Sequence, residues 1–189
     1  LTGGTVKCWG FNGNGQLGDG TNINPQITPV EASGITTATS IATGTGHSCA
    51  VLTDGRVMCW GSHVYGQLGD GTRSGSRMHR TIPVEVYGIG QGDKNAVAIA
   101  AGGSHSCALL TDGRVMCWGR NYDGQLGDGT GSGSIAPVEV SGITTATSIA
   151  AGGYHSCAVL TDGRVMCWGR NSNGQLGDGT NLTTRNIPV

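Results

Sequence analysis

CAVLTDGRVMCWGRNSNGQLGDGT, residues 157–180, is the stretch of sequence that decides the fold. Nearly the same residues occur at 107–130 and at 49–72, and the second half alone occurs at 8–21. The other residues connect one copy to the next, so the sequence is a tandem repeat with a period of about 50 residues. We therefore expect residues 1–189 to form a single domain built from repeated units.

Each unit contains four short segments typical of β-strands, which we name a, b, c and d in chain order. Strand b is CAVL, strand c is RVMCWG, and strand d is PVEV or a close variant that opens with a proline. Strand a is ATSIA or AVAIA, at residues 38–42, 96–100 and 146–150. No segment has the apolar period of a helix. The pattern predicts an all-β fold, a β-propeller of four-stranded blades, with fourteen strand candidates and so about three and a half blades.

The connection between strands b and c predicts a hairpin of defined register. A three-residue loop TDG, at 53–55 in the first complete copy, places its glycine in the left-handed region and pairs Cys49 with Cys59. A two-residue loop would pair Cys49 with Trp60 instead, and we prefer the first register because it joins the cysteines. Side-chain alternation then puts Cys and Val on one face and Ala, Leu, Met and Trp on the other. Because both faces are apolar, we expect the hairpin to be buried on both sides.

The paired cysteines of the three complete hairpins are predicted to form disulfides. The pairs are Cys49–Cys59, Cys107–Cys117 and Cys157–Cys167. Each disulfide would stabilise the fold by roughly 2–3 kcal/mol through its effect on the unfolded chain, and the alternative is six small buried thiols. Repeated disulfides indicate an oxidising compartment, so we expect an extracellular or cell-surface protein. Cys8 lies in a strand c without its strand b, so it is predicted to be unpaired or to bond another molecule.

Composition and spacing argue against several functional classes. The formal net charge of −1 leaves no basic surplus for nucleic acid, and no apolar run approaches the roughly 20 residues of a membrane-spanning helix. His47, His105 and His155 each precede a cysteine by two residues, but no converging third group recurs, so we expect structural histidines. The aspartates of the four GDGT words lack the distal glutamate of a calcium loop and are predicted to cap turns. We expect no enzymatic activity, no metal and no cofactor.

Two segments are candidates for surface contacts. The insertion RSGSRMHR, residues 73–80, is the chain's only basic cluster. Extra loop length on a rigid scaffold often carries specificity, so we predict a partner-binding loop, with a solvated variable loop as the alternative. The predicted contact residues are Arg73, Arg77, Met78, His79 and Arg80. Asn181 opens the triplet NLT, an acceptor for a glycan in a secreted protein.

The words HSCAVLTDGRVMCWG and NGQLGDGT resemble the repeat of the RCC1 (regulator of chromosome condensation) family over almost the whole chain. Kelch repeats fit less well because the Gly-Gly pair lies about one strand too far from the tryptophan. WD40 repeats fit less well because the Trp-Asp dipeptide is absent. The resemblance implies a propeller, typically of seven blades, that presents loops to protein partners. Family members include an exchange factor for a small GTPase, ubiquitin-ligase modules and secreted bacterial proteins. The cysteine pairs depart from intracellular members and favour the secreted bacterial type.

The sequence therefore predicts a non-enzymatic extracellular propeller that acts as a protein-recognition or scaffold module through its loops. One alternative is a structural component of a repeat-built surface assembly or filament, and another is an intracellular regulator similar to a guanine-nucleotide exchange factor. The expected partner is a protein or further copies of the chain. The chain is expected to be part of a longer seven-bladed ring; two copies closing one ring, or units stacking end to end, are the alternatives.

Overall fold

The computed structural model describes residues 3–72, 79–181 and 184–189. These residues form fourteen β-strands. The strands are β1 Lys7–Gly10, β2 Gln26–Glu31, β3 Ala38–Thr43, β4 His47–Leu52, β5 Val57–Ser62, β6 His79–Glu85, β7 Ala96–Ala101, β8 His105–Leu110, β9 Val115–Gly119, β10 Ser134–Glu139, β11 Ala146–Ala151, β12 His155–Leu160, β13 Val165–Arg170 and β14 Thr184–Arg185. The expectation of an all-β chain with fourteen strands is confirmed.

The strands form antiparallel sheets in chain order. Strands β1 and β2 form a half-blade, and β3–β6, β7–β10 and β11–β14 form three four-stranded sheets, which we name blades 1, 2 and 3. Strand β7 contacts both β3 and β11, so the first strand of each blade lies on the inner side of the arc. The prediction of about three and a half propeller blades is confirmed.

The predicted b–c register is also confirmed. In blade 1, Cys49 pairs with Cys59 and Val51 with Val57, and Leu52 N donates to Arg56 O at 2.9 Å. Gly55, the last residue of the TDG loop, has a φ of 81°, which an L-residue adopts only with strain. Blades 2 and 3 repeat this register.

The prediction for strand d was wrong at its start, whereas its end was predicted to within one residue. In blade 2 this strand begins at Ser134, three residues before Pro137, and it ends at Glu139. The pairing of β10 with β9 shifts between Ser134 and Val138, which marks a bulge around the proline. Proline is tolerated there because β10 is the outer edge strand and a bulge leaves its nitrogen unpaired.

Adjacent blades pack through two different faces. The Cys and Val side chains of β4 and β5, such as Val51 and Cys59, lie against the Ala, Leu, Met and Trp side chains of blade 2, such as Leu110 and Trp118. Every residue of β4 and of β8 is buried, as the two-sided burial prediction requires. In blade 3 the corresponding Val165 is exposed, because no further sheet packs on that face within the described residues.

The recurring words of the repeat connect one blade to the next. Gln67 O, in the loop after β5, accepts hydrogen bonds from Trp118 Nε1 at 2.9 Å and from Ser106 Oγ at 3.0 Å, both in blade 2. Gly69 lies so close that a Cβ there would be 2.7 Å from Trp118 Nε1. The half-blade and blade 2 make the same contacts with the blades that follow them. The GQLG word is thus an inter-blade connection, which explains why every copy contains it.

Candidate functional site

The chain topology collects two sets of connections at one end of the blades. In a four-stranded meander, the a–b and c–d connections lie at one end of the strands, and the b–c hairpin lies at the opposite end. We call the end formed by the a–b and c–d connections the loop face. We call the end formed by the b–c hairpins and the d–a connections the hairpin face.

Three tyrosines and two arginines meet on the loop face, and we call them the Tyr–Arg cluster. They are Tyr65, Arg120, Tyr122, Tyr154 and Arg170, and they come from blades 1, 2 and 3. The Arg120 guanidinium carbon lies 5.8, 5.5 and 4.9 Å from the ring centroids of Tyr65, Tyr122 and Tyr154. Arg170 lies 5.6 Å from the Tyr154 ring, and the rings of Tyr65 and Tyr122 pack edge to face at 6.3 Å. These are cation–π and aromatic contact distances.

The two arginines keep hydrogen-bond donors without partners. Arg120 Nη2 pairs with Asp123 Oδ2 at 3.2 Å, but Arg120 Nε is buried and has no acceptor among the described residues. Arg170 Nε donates to Ser172 Oγ at 2.8 Å, and no carboxylate of the described part of the chain pairs with Arg170. The described arginines outside the cluster all have ion pairs: Arg56, Arg80, Arg114, Arg164 and Arg185.

A groove of about 480 Å³ lies beside the cluster, between the c–d connections of blades 1 and 2. Val64 and Ile135 supply apolar walls, Tyr65 and Tyr122 supply aromatic walls, and Arg120 contributes a charged one. Because Arg120 also stacks on Tyr154, the groove and the pair of arginines form one continuous surface. Asn121 and Ser134 add polar lining, so the groove combines apolar, aromatic and hydrogen-bonding walls.

These tyrosines were not among the site residues predicted from the sequence. The signal lies in departures from the repeat: Tyr65 stands where the other copies have Asn or Asp, and Tyr122 where they have Gly, Val or Ser. Tyr154 stands where the other complete copies have Gly or Ser. Three of the chain's four tyrosines therefore lie at variable loop positions that the fold brings together. A comparison of the copies for differences, rather than for shared words, would have found them.

The residues predicted to form a partner-binding loop are placed only in part. Arg73, Arg77 and Met78 lie outside the described residues, while His79 and Arg80 begin strand β6. Arg80 Nη2 lies 3.4 Å from Asp70 Oδ2 and 3.3 Å from Thr72 Oγ1. Arg80 thus bonds to the GDGT turn of its own blade, and the binding role of this segment stays a prediction.

The three cysteine pairs lie at disulfide distance, with Cα atoms 4.1 Å apart in each. Cys8 has no cysteine within bonding distance among the described residues, and burial raises the pKa of its thiol. Asn181 is exposed, but the next two residues of its triplet lie outside the described part. Its glycosylation stays a prediction.

Two of the three recurring histidines are buried and make structural hydrogen bonds. Ser106 Oγ donates to Gln67 O and accepts from His47 Nε2 at 2.9 Å, and His105 makes the same contact with Ser156 at 2.8 Å. Desolvation by burial lowers the pKa of His47 to about 4 and that of His105 to about 3, so both are neutral at pH 7. These contacts confirm the prediction of a hydrogen-bonded structural role for His47 and His105, and for His155 it stays a prediction.

The repeated aspartates of the GDGT words cap turns, as predicted. In blade 1, Thr72 N donates to Asp70 Oδ1 at 2.9 Å and Thr72 Oγ1 donates to the same oxygen at 2.7 Å. Within residues 3–72, 79–181 and 184–189, no group of three or more His, Cys, Asp and Glu side chains is arranged to hold a metal ion. The same residues include no helix of the length and hydrophobicity needed to cross a bilayer.

Comparison with known proteins identifies relatives along the whole chain. The family profile described as "Regulator of chromosome condensation (RCC1) repeat" matches residues 3–51, 54–109, 112–159 and 162–189, and a second profile of the same description matches 38–67, 96–125 and 146–175. The RCC1 domain-containing protein RUG3, mitochondrial, of Arabidopsis thaliana is 37% identical over 143 residues, which cover 75% of this chain and 31% of that protein.

Two solved structures are similar over nearly the full length. Human WBSCR16 superposes with a TM-score of 0.85 and 27% identity, covering 99% of this chain and 48% of that one. Yeast RCC1 (Prp20), solved bound to Kap60, superposes with a TM-score of 0.82 and 25% identity, covering 98% of this chain and 44% of that one. The chain thus spans less than half the length of these relatives.

Proposed function

This chain belongs to the RCC1 (regulator of chromosome condensation) repeat family, and we propose that it is a non-enzymatic module that recognises a protein partner through its loop face. One observation carries the proposal: the variable tyrosines and arginines of three blades gather into the Tyr–Arg cluster on that face. A scaffold with uniform cores and variable loops gathered on one face is the arrangement that recognition proteins use.

The chemistry of the cluster suits binding to a protein. Tyrosine and arginine are among the residues that contribute most to protein–protein binding energy, because they bury a large area and retain polar groups that make specific hydrogen bonds. Tyr122 is 70% exposed, and Tyr65 and Tyr154 are each 40% exposed, so the rings are available to a partner. Arg120, packed among the three rings, holds them in place.

The hairpin face lacks these features. Its arginines form short ion pairs with the aspartate two residues earlier, as in Arg56–Asp54 at 2.8 Å and Arg164–Asp162 at 2.7 Å. Their charges are thus compensated locally, and such exposed pairs add little to binding. The asymmetry between the two faces favours the loop face as the recognition surface.

A structural relative supports the same general role. The yeast RCC1 protein (Prp20) was solved in complex with Kap60, so at least one protein that contains a propeller of similar fold binds a protein. That complex does not identify the partner of the present chain, because the Tyr–Arg cluster lies at positions that vary among the copies of the repeat.

We propose further that the chain functions in an oxidising compartment, at the cell surface or outside the cell, with its three cysteine pairs joined as disulfides. Their disulfide distance in every complete blade supports this. A relative described as mitochondrial indicates that the family is not confined to one compartment. Free-thiol counting on the unreduced, unfolded protein tests the proposal, because unfolding exposes cysteines that are buried in the fold. Six or more reactive thiols would overturn it and favour an intracellular regulator instead.

The recognition proposal is tested by capture with matched variants. The immobilised chain is compared with Tyr122→Ser on the loop face and with Tyr87→Ser on the hairpin face; the two tyrosines are 70% and 69% exposed. We expect the proteins captured by the wild type to be lost with Tyr122→Ser and retained with Tyr87→Ser. Equal capture by the two variants would contradict recognition through the loop face. Circular dichroism of both variants excludes loss of fold as the cause.

A second candidate function is a structural assembly of repeat units. It is favoured by the near-identity of the repeated units, because arrays of like units can associate through unpaired sheet edges. Light scattering at several concentrations separates the two: growth of the particle mass with concentration supports assembly, and a constant mass of one chain contradicts it.

A further inference from the structure

We propose that the Tyr–Arg cluster and its groove bind an acidic peptide segment that also carries an apolar side chain. The inference rests on the proposed recognition function and specifies the partner's chemistry. It follows from the unpaired terminal nitrogens of Arg170, from the surplus positive charge of Arg120 and Arg170, and from the walls of the groove beside them.

Uncompensated positive charge is the first part of the argument. Arg120 and Arg170 both lie against the ring of Tyr154, at 4.9 and 5.6 Å, so their like charges are close together. Among the described residues only Asp123 pairs with either of them, through Arg120. Two cations with one carboxylate leave a local surplus of one positive charge, which an acidic side chain would complement.

The free donors fit a carboxylate better than a neutral group. Arg170 uses only its Nε, in a bond to Ser172 Oγ, and its terminal nitrogens are unpaired among the described residues. A guanidinium stacked on an aromatic ring keeps its edge open, and that edge donates two parallel hydrogen bonds to one carboxylate. The stacking also reduces the freedom that Arg170 would otherwise lose on binding.

The groove supplies the apolar half of the specificity. Val64 and Ile135, together with the rings of Tyr65 and Tyr122, line a space of about 480 Å³, large enough for a leucine or phenylalanine side chain. An extended peptide advances about 3.3 Å per residue and turns alternate side chains to the same surface. A segment with an apolar residue and an acidic residue two positions away would therefore place the first side chain in the groove and the second beside the arginines.

A nucleic acid fits less well, although it too would combine negative charge with stacking groups. Binding to a phosphate backbone requires several cations along a track. The chain has a formal net charge of −1, and the cluster contributes only two arginines. We therefore assign the site to a peptide and include an oligonucleotide in the test.

The experiment measures fluorescence anisotropy of labelled probes with the full chain. The probes are the peptide EDEFEDE, its neutral form QNQFQNQ, its small-residue form EDEAEDE, and single-stranded dT of ten nucleotides. We expect EDEFEDE to bind at low ionic strength and both altered peptides to bind at least tenfold more weakly. Binding of EDEFEDE should weaken as salt is raised, because the contact is partly solvent-exposed.

The variants locate the contact. Arg170→Gln should weaken the binding of EDEFEDE at least tenfold. Arg170→Lys should weaken it less, because lysine keeps the charge but lacks the paired donors. Arg164→Gln on the hairpin face should leave the affinity for EDEFEDE unchanged. Equal effects of Arg170→Gln and Arg164→Gln would overturn the proposal, as would tighter binding of dT than of EDEFEDE. If EDEFEDE fails to bind while the capture of proteins remains sensitive to Tyr122→Ser, this inference fails and the recognition function stands. If EDEFEDE fails to bind and the capture of proteins is also insensitive to Tyr122→Ser, both the peptide inference and the recognition function are rejected.

Discussion

Replacing Gly69 with alanine tests the inter-blade contact at the point where the structure defines it best. Gly69 has a φ of 68°, and a Cβ there would lie 2.7 Å from Trp118 Nε1 in the next blade. The substitution therefore has two costs: alanine in the left-handed region, about 1–2 kcal/mol, and overpacking against a fully buried tryptophan, about 1–3 kcal/mol. We expect the free energy of unfolding to fall by about 2–5 kcal/mol.

Gly88→Ala is the matched control, because Gly88 lies in the connection that follows blade 1 and has a φ of 72°, but a Cβ added there would have no other atom within 4 Å. Only the backbone cost applies at this position, and the effect of alanine on the unfolded chain is common to both variants. The difference between the variants should therefore equal the steric part, about 1–3 kcal/mol. Urea denaturation at constant m-value measures it.

The reasoning is refuted if the two variants lose the same stability within about 0.5 kcal/mol, the usual uncertainty of additive comparisons. That result would mean that blade 2 moves away from Gly69 without cost, and that the tryptophan contact does not hold adjacent blades together. A larger loss for Gly69→Ala, with a shift in the fluorescence of the buried tryptophans, supports the contact.

Three further predictions concern the cysteines, the histidines and the buried amides. Alkylation of the unreduced, unfolded chain should label Cys8 alone, and reduction should lower the free energy of unfolding by roughly 2–3 kcal/mol per pair; labelling of all seven cysteines before reduction would contradict this. Because burial lowers the pKa of His47 and His105 in the fold, the unfolded chain takes up protons first. The stability present above about pH 6.5 should then fall by up to about 1.4 kcal/mol per pH unit for each histidine as the pH drops towards about 4; urea titrations at about pH 7, 5.5 and 4.5 check it, and a flat profile would refute it. Asn121→Ala should lower the free energy of unfolding by at least about 2 kcal/mol, because the buried amide forms hydrogen bonds with several partners. Asn173→Ala, at an exposed position, should lower it by under about 0.5 kcal/mol in the same denaturation assay.

The sequence predicted the blade centre well because two independent rules agree there. The glycine of the TDG loop fixes the hairpin length, and the period-two alternation fixes which side chains share a face. Together they determine the pairing of Cys49 with Cys59. The start of strand d was predicted wrongly because its proline was taken as the first residue of the strand. In the structure a bulge lets Pro137 lie inside the edge strand.

The Tyr–Arg cluster could not be read from spacing. Tyr65 and Tyr154 belong to different connections of different blades, and only the curvature of the arc brings them to the same arginine. The basic insertion was easier to notice because it changes the repeat length, although Arg80 bonds to its own blade rather than projecting freely. Length differences and single-residue differences are both visible in a sequence, whereas the convergence of residues from separate loops becomes visible only in three dimensions.

The unlike faces of the blades have a consequence for how such a chain changes over time. Each unit has a Cys and Val surface on one side and an Ala, Leu, Met and Trp surface on the other. Every junction between blades therefore joins the same two kinds of surface in the same order. A duplicated unit of about 50 residues thus arrives with two surfaces that already fit its neighbours. Copying preserves the junctions while the loops acquire new residues, and variety in recognition accumulates without any change to the core.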